Sequence, residues 1–196
     1  MKIASLFILA AFAQELSTDR DLTNGSQMKY NQKTPNYLSM ELPYKPAEKL
    51  RKQLEQLLNS PLKNRGEAHI TVITPIEFNK VLKSKVSMEE IHQLAIENQI
   101  QQADVKAICV GVGEKKESSK ETLNTYYVVV ESNKLLALRK KVQDLYLSRG
   151  GEEKAFQAEQ FYPHITLGFT MRDLHLESDG VVKNSESCRY NLKLNE

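Results

Sequence analysis

The sequence predicts an α+β fold with largely antiparallel sheets and flanking helices. Three observations lead there. Several short stretches alternate apolar and polar residues or are rich in Val, Ile and Tyr, as strands do. Three longer stretches place apolar residues on one stripe at helical spacing. Strands and helices are interleaved, but the strand pairs are linked by short connections, which favours antiparallel pairing over a doubly wound parallel sheet. The 196 residues suit one domain with a sizeable core. A hydrophobic content of 40% with 27% charged residues reads as a globular chain. The net charge of +2 offers no strong basic field for gripping duplex DNA, so duplex DNA is not expected as a partner.

The elements follow in order. Residues 37–42 alternate and stop at Pro43, a first strand. A helix over 46–59 carries Ala47, Leu50, Leu54, Leu57 and Leu58 on one stripe, with Pro46 suited to its first turn. Lys63, Arg65 and Gly66 make a basic turn into a strand that ends at Thr74-Pro75. Phe78, Val81 and Leu82 suggest a helical turn. Ser87 with Glu90 three residues later forms a capping-box pattern, opening a helix faced by Met88, Ile91, Leu94 and Ala95. Strands follow over 105–112, where Gly111 and Gly113 loosen the end, and over 125–130. The Lys, Glu and Ser residues of 114–121 read as a solvated hairpin loop. A third helix over 133–148 holds Leu135, Leu138, Val142 and Leu145 on its stripe and stops at Gly150-Gly151. A further strand runs from His164 to Gly168-Phe169, and a final one covers 187–194.

The first thirteen residues read as a secretory signal peptide: a positive start at Lys2, an apolar run to Phe12, and a small-x-small site at Ala11-Phe12-Ala13. The run is too short for a membrane span, which takes about 20 apolar residues. Cleavage after Ala13 and a secreted or periplasmic location are expected, with no membrane attachment of the mature chain. Residues 14–36 lack any period and read as a flexible lead-in, so the folded domain is expected over 37–196. Export would carry Cys109 and Cys188 into an oxidising compartment, where a bridge and two buried thiols are equally consistent with their strand-like settings.

One short phrase occurs twice. His69-Ile70-Thr71-Val72 and His164-Ile165-Thr166-Leu167 share the pattern His-apolar-Thr-apolar. On a strand, side chains alternate between faces, so each phrase sets His and Thr on one face and two apolar residues on the other. At average composition a Thr follows two places after a His by chance about once in twenty. Here two of the four His show it, both in apolar frames. His92 beside a helical stripe and His175 in a polar tail lack the Thr, and neither is assigned a function. Two such strands facing one cleft would supply two imidazoles and two hydroxyls to a phosphate ester.

These phrases resemble the paired His-x-Thr motifs of the 2H phosphoesterase superfamily. The contexts Glu67-Ala68-His69-Ile70-Thr71 and Phe161-Tyr162-Pro163-His164-Ile165-Thr166-Leu167-Gly168 are similar to the family forms. The resemblance implies a two-lobed α+β fold around a central cleft, one motif from each lobe. It also implies metal-independent cleavage or transfer at RNA-type phosphodiesters, often 2′,3′-cyclic phosphates. His69 and His164 are then the catalytic acid and base, their order open. A free imidazole titrates at about 6.5, so one ring can be neutral while the other is protonated. The neutral ring takes a proton from water and the protonated ring donates to the leaving ribose oxygen. Thr71 and Thr166 donate to the nonbridging phosphate oxygens. No cofactor and no metal are expected, the partner is an RNA end or a small cyclic nucleotide, and the protein is expected to be a monomer.

Weaker candidates surround this pair. Tyr162, Phe169, Tyr126 and Tyr127 offer aromatic faces for stacking a base, although such residues are more often core. Lys63 and Arg65 are candidates to meet a substrate phosphate, although solvated charges of a turn are the simpler reading, and Lys115, Lys116 and Lys120 belong to an exposed loop. Two other readings share the same cleft: an RNA end-joining or transfer enzyme, and a catalytically silent nucleotide- or RNA-binding module.

Overall fold

The computed structural model describes residues 14–32, 34–119 and 121–195. The signal peptide expected over residues 1–13 lies outside them, as does Lys120. In chain order the strands are β1 (Glu15–Asp19), β2 (Leu38–Leu42), β3 (Ala68–Ile73), β4 (Lys106–Lys116), β5 (Thr122–Glu131), β6 (His164–Phe169) and β7 (Cys188–Asn195). The helices are α1 (Tyr44–Leu58), α2 (Pro75–Lys80), α3 (Met88–Glu97), α4 (Asn133–Ser148) and α5 (Leu176–Asp179). The strands form one sheet of seven in the order β1-β7-β4-β5-β6-β3-β2, antiparallel throughout except for the parallel β1–β7 pair. The fold is α+β.

The local chemistry explains the elements. Thr74 and Ser87 each accept from the backbone N–H three residues on, and Glu77 and Glu90 return the bond, completing capping boxes at α2 and α3. Ser132 caps α4 through Leu135 N–H. α1 buries Pro46, Ala47, Leu50 and Leu54, whereas Leu57, expected on that stripe, is 43% exposed. β4 and β5 run longer than the residue pattern suggested, reaching Lys116 and starting at Thr122. Pairing continues through Lys115–Leu123 and Lys116–Thr122 because an antiparallel ladder satisfies backbone groups whatever the side chains.

Alternation sorts the sheet into two faces. On one, Met40, Ile70, Val72, Ile165, Leu167, Val128 and Val110 meet the buried residues of α1, α3 and α4 in the main core. The other face carries the polar members of β3 and β6 and continues into a smaller cluster of Cys109, Tyr127 and Val129. Cys109 on β4 and Cys188 on β7 are joined by a disulfide there, with Cα atoms 5.8 Å apart. This resolves the two open alternatives in favour of the bridge. Adjacent strands bring the cysteines together: Gly111 is registered with Cys188.

The described residues within 14–36 are not a flexible lead-in. Glu15–Asp19 is a strand, two 3-10 turns follow, and Leu16 and Leu22 are fully buried. The sequence hides this because the pairing partner, β7, lies at the far end of the chain. Both sheet margins are capped by a glutamine amide. Gln53 of α1 accepts from Ser17 N–H at 3.1 Å and donates to Ser17 O at 2.7 Å on β1. Gln101 accepts from Glu41 N–H at 2.9 Å and donates to Glu41 O at 3.0 Å on β2. Unpaired strand edges invite pairing with other chains, and each amide occupies one residue of its edge. Among the described residues no helix is long and apolar enough to cross a membrane.

Candidate active site

β3 and β6 are neighbours, and their ladder contains the single registered pair Ile70–Ile165. Carried one residue to either side, that antiparallel register sets His69 beside Thr166 and Thr71 beside His164. The four polar side chains share one face, and all four line one cleft of about 370 Å³. That volume suits a small-molecule ligand. Tyr37, Asn64, Arg65 and Glu67 line it on one side, and Asp173, His175 and Glu177 on another. The isoleucines between the motif residues point the other way and are fully buried, which pins the polar face outward.

The two imidazoles have different partners. His164 Nδ1 lies 2.8 Å from the carbonyl oxygen of Tyr162, and its Nε2 lies 3.1 Å from Lys183 Nζ. A carbonyl only accepts and an ammonium only donates, so Nδ1 carries the hydrogen and Nε2 presents its lone pair. The ring stands edge-on to Tyr127, centroids 5.6 Å apart. Burial pushes the His164 pKa below the ordinary imidazole value, and the positive charge of Lys183 pushes it the same way. His69 instead has a carboxylate nearby, Glu67 Oε1, at 3.6 Å from Nδ1.

Lys183 is itself buried, and its Nζ donates to Asp173 Oδ1 at 3.0 Å. Burial lowers the lysine's pKa against the opposing pull of Asp173; at Asp173 burial is the largest influence and pushes upward, but the charge and hydrogen bond of Lys183 together with the neighbouring histidines hold the carboxyl below its usual range. Asp173 Oδ2 also faces Arg65 at 3.5 Å and His175 Nε2 at 3.9 Å.

Sequence reasoning missed several of these residues. His175, placed in a polar tail, lines the cleft; Arg65, named from the basic turn as able to meet a phosphate, lines it too. Asp173 and Lys183 were not singled out, since irregular segments carry no period to mark which side chains turn inward, and Glu177 sits in α5, whose four residues are too few to show one. The Asp-x-His spacing of Asp173 and His175 was the one available signal. Of the aromatic candidates, Tyr126 is core, Tyr127 is buried beneath His164, and Tyr162 is 37% exposed beside the cleft. Phe169 and Lys63 pair with each other through their backbones. Lys115 is tied to Asp179 at 2.8 Å. His92 is a structural residue, bonded to Tyr30 and Thr34 away from the cleft. Among the described residues no group of three His, Cys, Asp or Glu side chains is arranged to hold a metal ion.

An antiparallel sheet that brings two His-x-Thr strands to one cleft defines a class of phosphoester-directed proteins. The family model described as the Swiss Army Knife 2H phosphoesterase domain matches residues 36–175, and the chain belongs to that family. Neither a curated protein nor a solved structure matches it.

Proposed function

We propose that this chain is a metal-independent phosphodiesterase that hydrolyses 2′,3′-cyclic phosphates or related RNA and nucleotide phosphodiesters. The observation that carries the reading is the shared face of His69, Thr71, His164 and Thr166 on one cleft. The surroundings of the two rings favour one order of acid and base. His164 presents an unprotonated Nε2, kept neutral by burial and by Lys183, and acts as the base toward the attacking water. His69, facing a carboxylate and not an ammonium, is left as the proton donor to the departing ribose oxygen. The hydroxyls of Thr71 and Thr166 donate to the nonbridging oxygens, where charge is held in the transition state.

The test is a panel of RNA 2′,3′-cyclic ends, small cyclic nucleotides, 2′–5′ linkages and ADP-ribose cyclic phosphate, incubated with chelator present. Turnover of at least one by the native chain, with a bell-shaped pH–rate curve and loss on His69→Ala and on His164→Ala, is expected. Full activity in either variant overturns the reading. The Cys109–Cys188 bridge supports an exported protein, since disulfides persist in oxidising compartments. Sequencing the N-terminus of the exported chain is expected to begin at Gln14.

A further inference from the structure

The two phrases account for four cleft residues but leave a buried cation unexplained. Lys183 is 3% exposed, lies beyond the matched residues 36–175, and places Nζ 3.0 Å from Asp173 Oδ1, 3.1 Å from His164 Nε2 and 5.3 Å from the centroid of the Tyr127 ring. Its position is over-determined. A Cβ on Gly113 would sit 2.5 Å from Val181, and one on Gly111 would sit 2.8 Å from Ser187 Oγ, so the two glycines let Val181 and Ser187, on either side of Lys183, pack directly against β4. They do not merely loosen the strand end. Val181 joins Leu123 and Leu174 in a small cluster on one side, and the Cys109–Cys188 bridge tethers the other. A buried ion pair is a poor way to stabilise a fold, because apolar residues of the same volume do as well or better. The lysine also lines a recess with Thr71, Thr74 and His164 that adjoins the main cleft.

A hydrogen bond from Lys183 to Nε2 occupies the lone pair that a base needs. We propose that Lys183 is a positioning residue for His164 and also the cation that meets the substrate's phosphate. Its bond to Nε2 and a bond to a nonbridging phosphate oxygen are alternatives, so that binding the anion uncovers the base. Asp173 holds the ammonium through the exchange. Once uncovered, Nε2 takes one proton from the attacking water, and Lys183 keeps its own three. The inference rests on the phosphodiesterase reading above.

The groups that act on His164 are Lys183, Asp173, His175 and the Tyr162 carbonyl; Arg65 and Glu177 act in turn on Lys183. The test therefore changes Lys183 alone and reads His164 directly. In the full chain with isotope-labelled histidine, the His164 titration is followed by NMR in the native protein, Lys183→Met and Lys183→Arg, with and without inorganic phosphate. Lys183→Met is expected to raise the His164 midpoint by about one pH unit or more. It is also expected to move the acid limb of kcat/KM up with it and to weaken phosphate binding about tenfold. Lys183→Arg is expected to keep the native midpoint and most of the affinity. An unchanged midpoint, or unchanged phosphate affinity, overturns the proposal. Should Lys183→Met fail to fold with Asp173 unpaired, the double variant Asp173→Asn/Lys183→Met gives the same readouts without the stranded charge. The two readings fail separately. Activity surviving in His69→Ala or His164→Ala sinks the phosphodiesterase, while loss there with an unmoved His164 midpoint sinks only the role of Lys183.

Discussion

His69 and His164 hold matching places in matching phrases, yet one faces the Glu67 carboxylate and the other the Lys183 ammonium. The difference comes from outside the phrases. Glu67 precedes its histidine by two residues on the same approach to β3. Lys183 and Asp173 come from the irregular chain after β6, which folds back over the cleft. A repeated strand motif thus fixes where a ring stands, and unrepeated neighbours fix the charge it faces. The backbones near the two rings, by contrast, share one holder. A buried Arg139 on α4 donates to Val72 O at 2.6 Å, at the end of the first phrase, and pairs with Glu77 at 2.8 Å. Further bonds run from Arg139 to the carbonyls of Ala158, Gln157 and Gln160 on the approach to β6.

Four measurements break or sharpen this contrast, from the largest expected effect downward. His69→Ala and His164→Ala are each expected to lower kcat by about 10²–10⁴-fold, the usual reach of a positioned acid or base. Their pH profiles should then differ, with the acid limb disappearing in His164→Ala and the alkaline limb in His69→Ala. A loss of the same limb in both would erase the assigned order. Arg139→Met leaves Glu77 and several carbonyls without their donor, and is expected to cost about 3–5 kcal/mol in urea unfolding. Recovery of native stability in that variant would show that the first phrase does not depend on it. Thr71→Val and Thr166→Val each remove one donor to charged oxygens, and are expected to cost about 1.5–3 kcal/mol in kcat/KM without altering the fold. Equal binding of the ground state by all three proteins would place the loss in the transition state.

The smallest effect is on stability against pH. His164 and His175 are both held below the ordinary 6.5, with burial the first cause in each. Below that pH the unfolded chain binds more protons than the folded one, so stability falls as pH drops from 6.5 toward the folded values. Above 6.5 these rings add no slope. Urea midpoints of His164→Ala are therefore expected to decline less than native between neutral and mildly acidic pH. His175, with 47% of its side chain exposed, is expected to contribute the smaller share.

The parts of this molecule that were legible in the sequence are those with a period or a local partner. β3 and β6 show alternation, α3 shows its capping box, and α4 spans the predicted 133–148. The adjacency of the two phrases was legible only through their likeness to each other. β1 was not, because Glu15–Asp19 has no strong alternation and finds its partner at the opposite end of the chain. Lys183, Asp173 and His175 were not, because side-chain direction in irregular chain depends on what it lies against. Arg139 reads as one more polar helical residue, although its side chain crosses the interior.

The glutamines at the outer strands have a consequence for how the protein behaves among its own kind. A carboxamide copies the donor and acceptor of a peptide unit, so Gln53 and Gln101 each offer the margin a false neighbour that goes no further. Each margin therefore meets a second copy with one residue whose peptide groups are already taken.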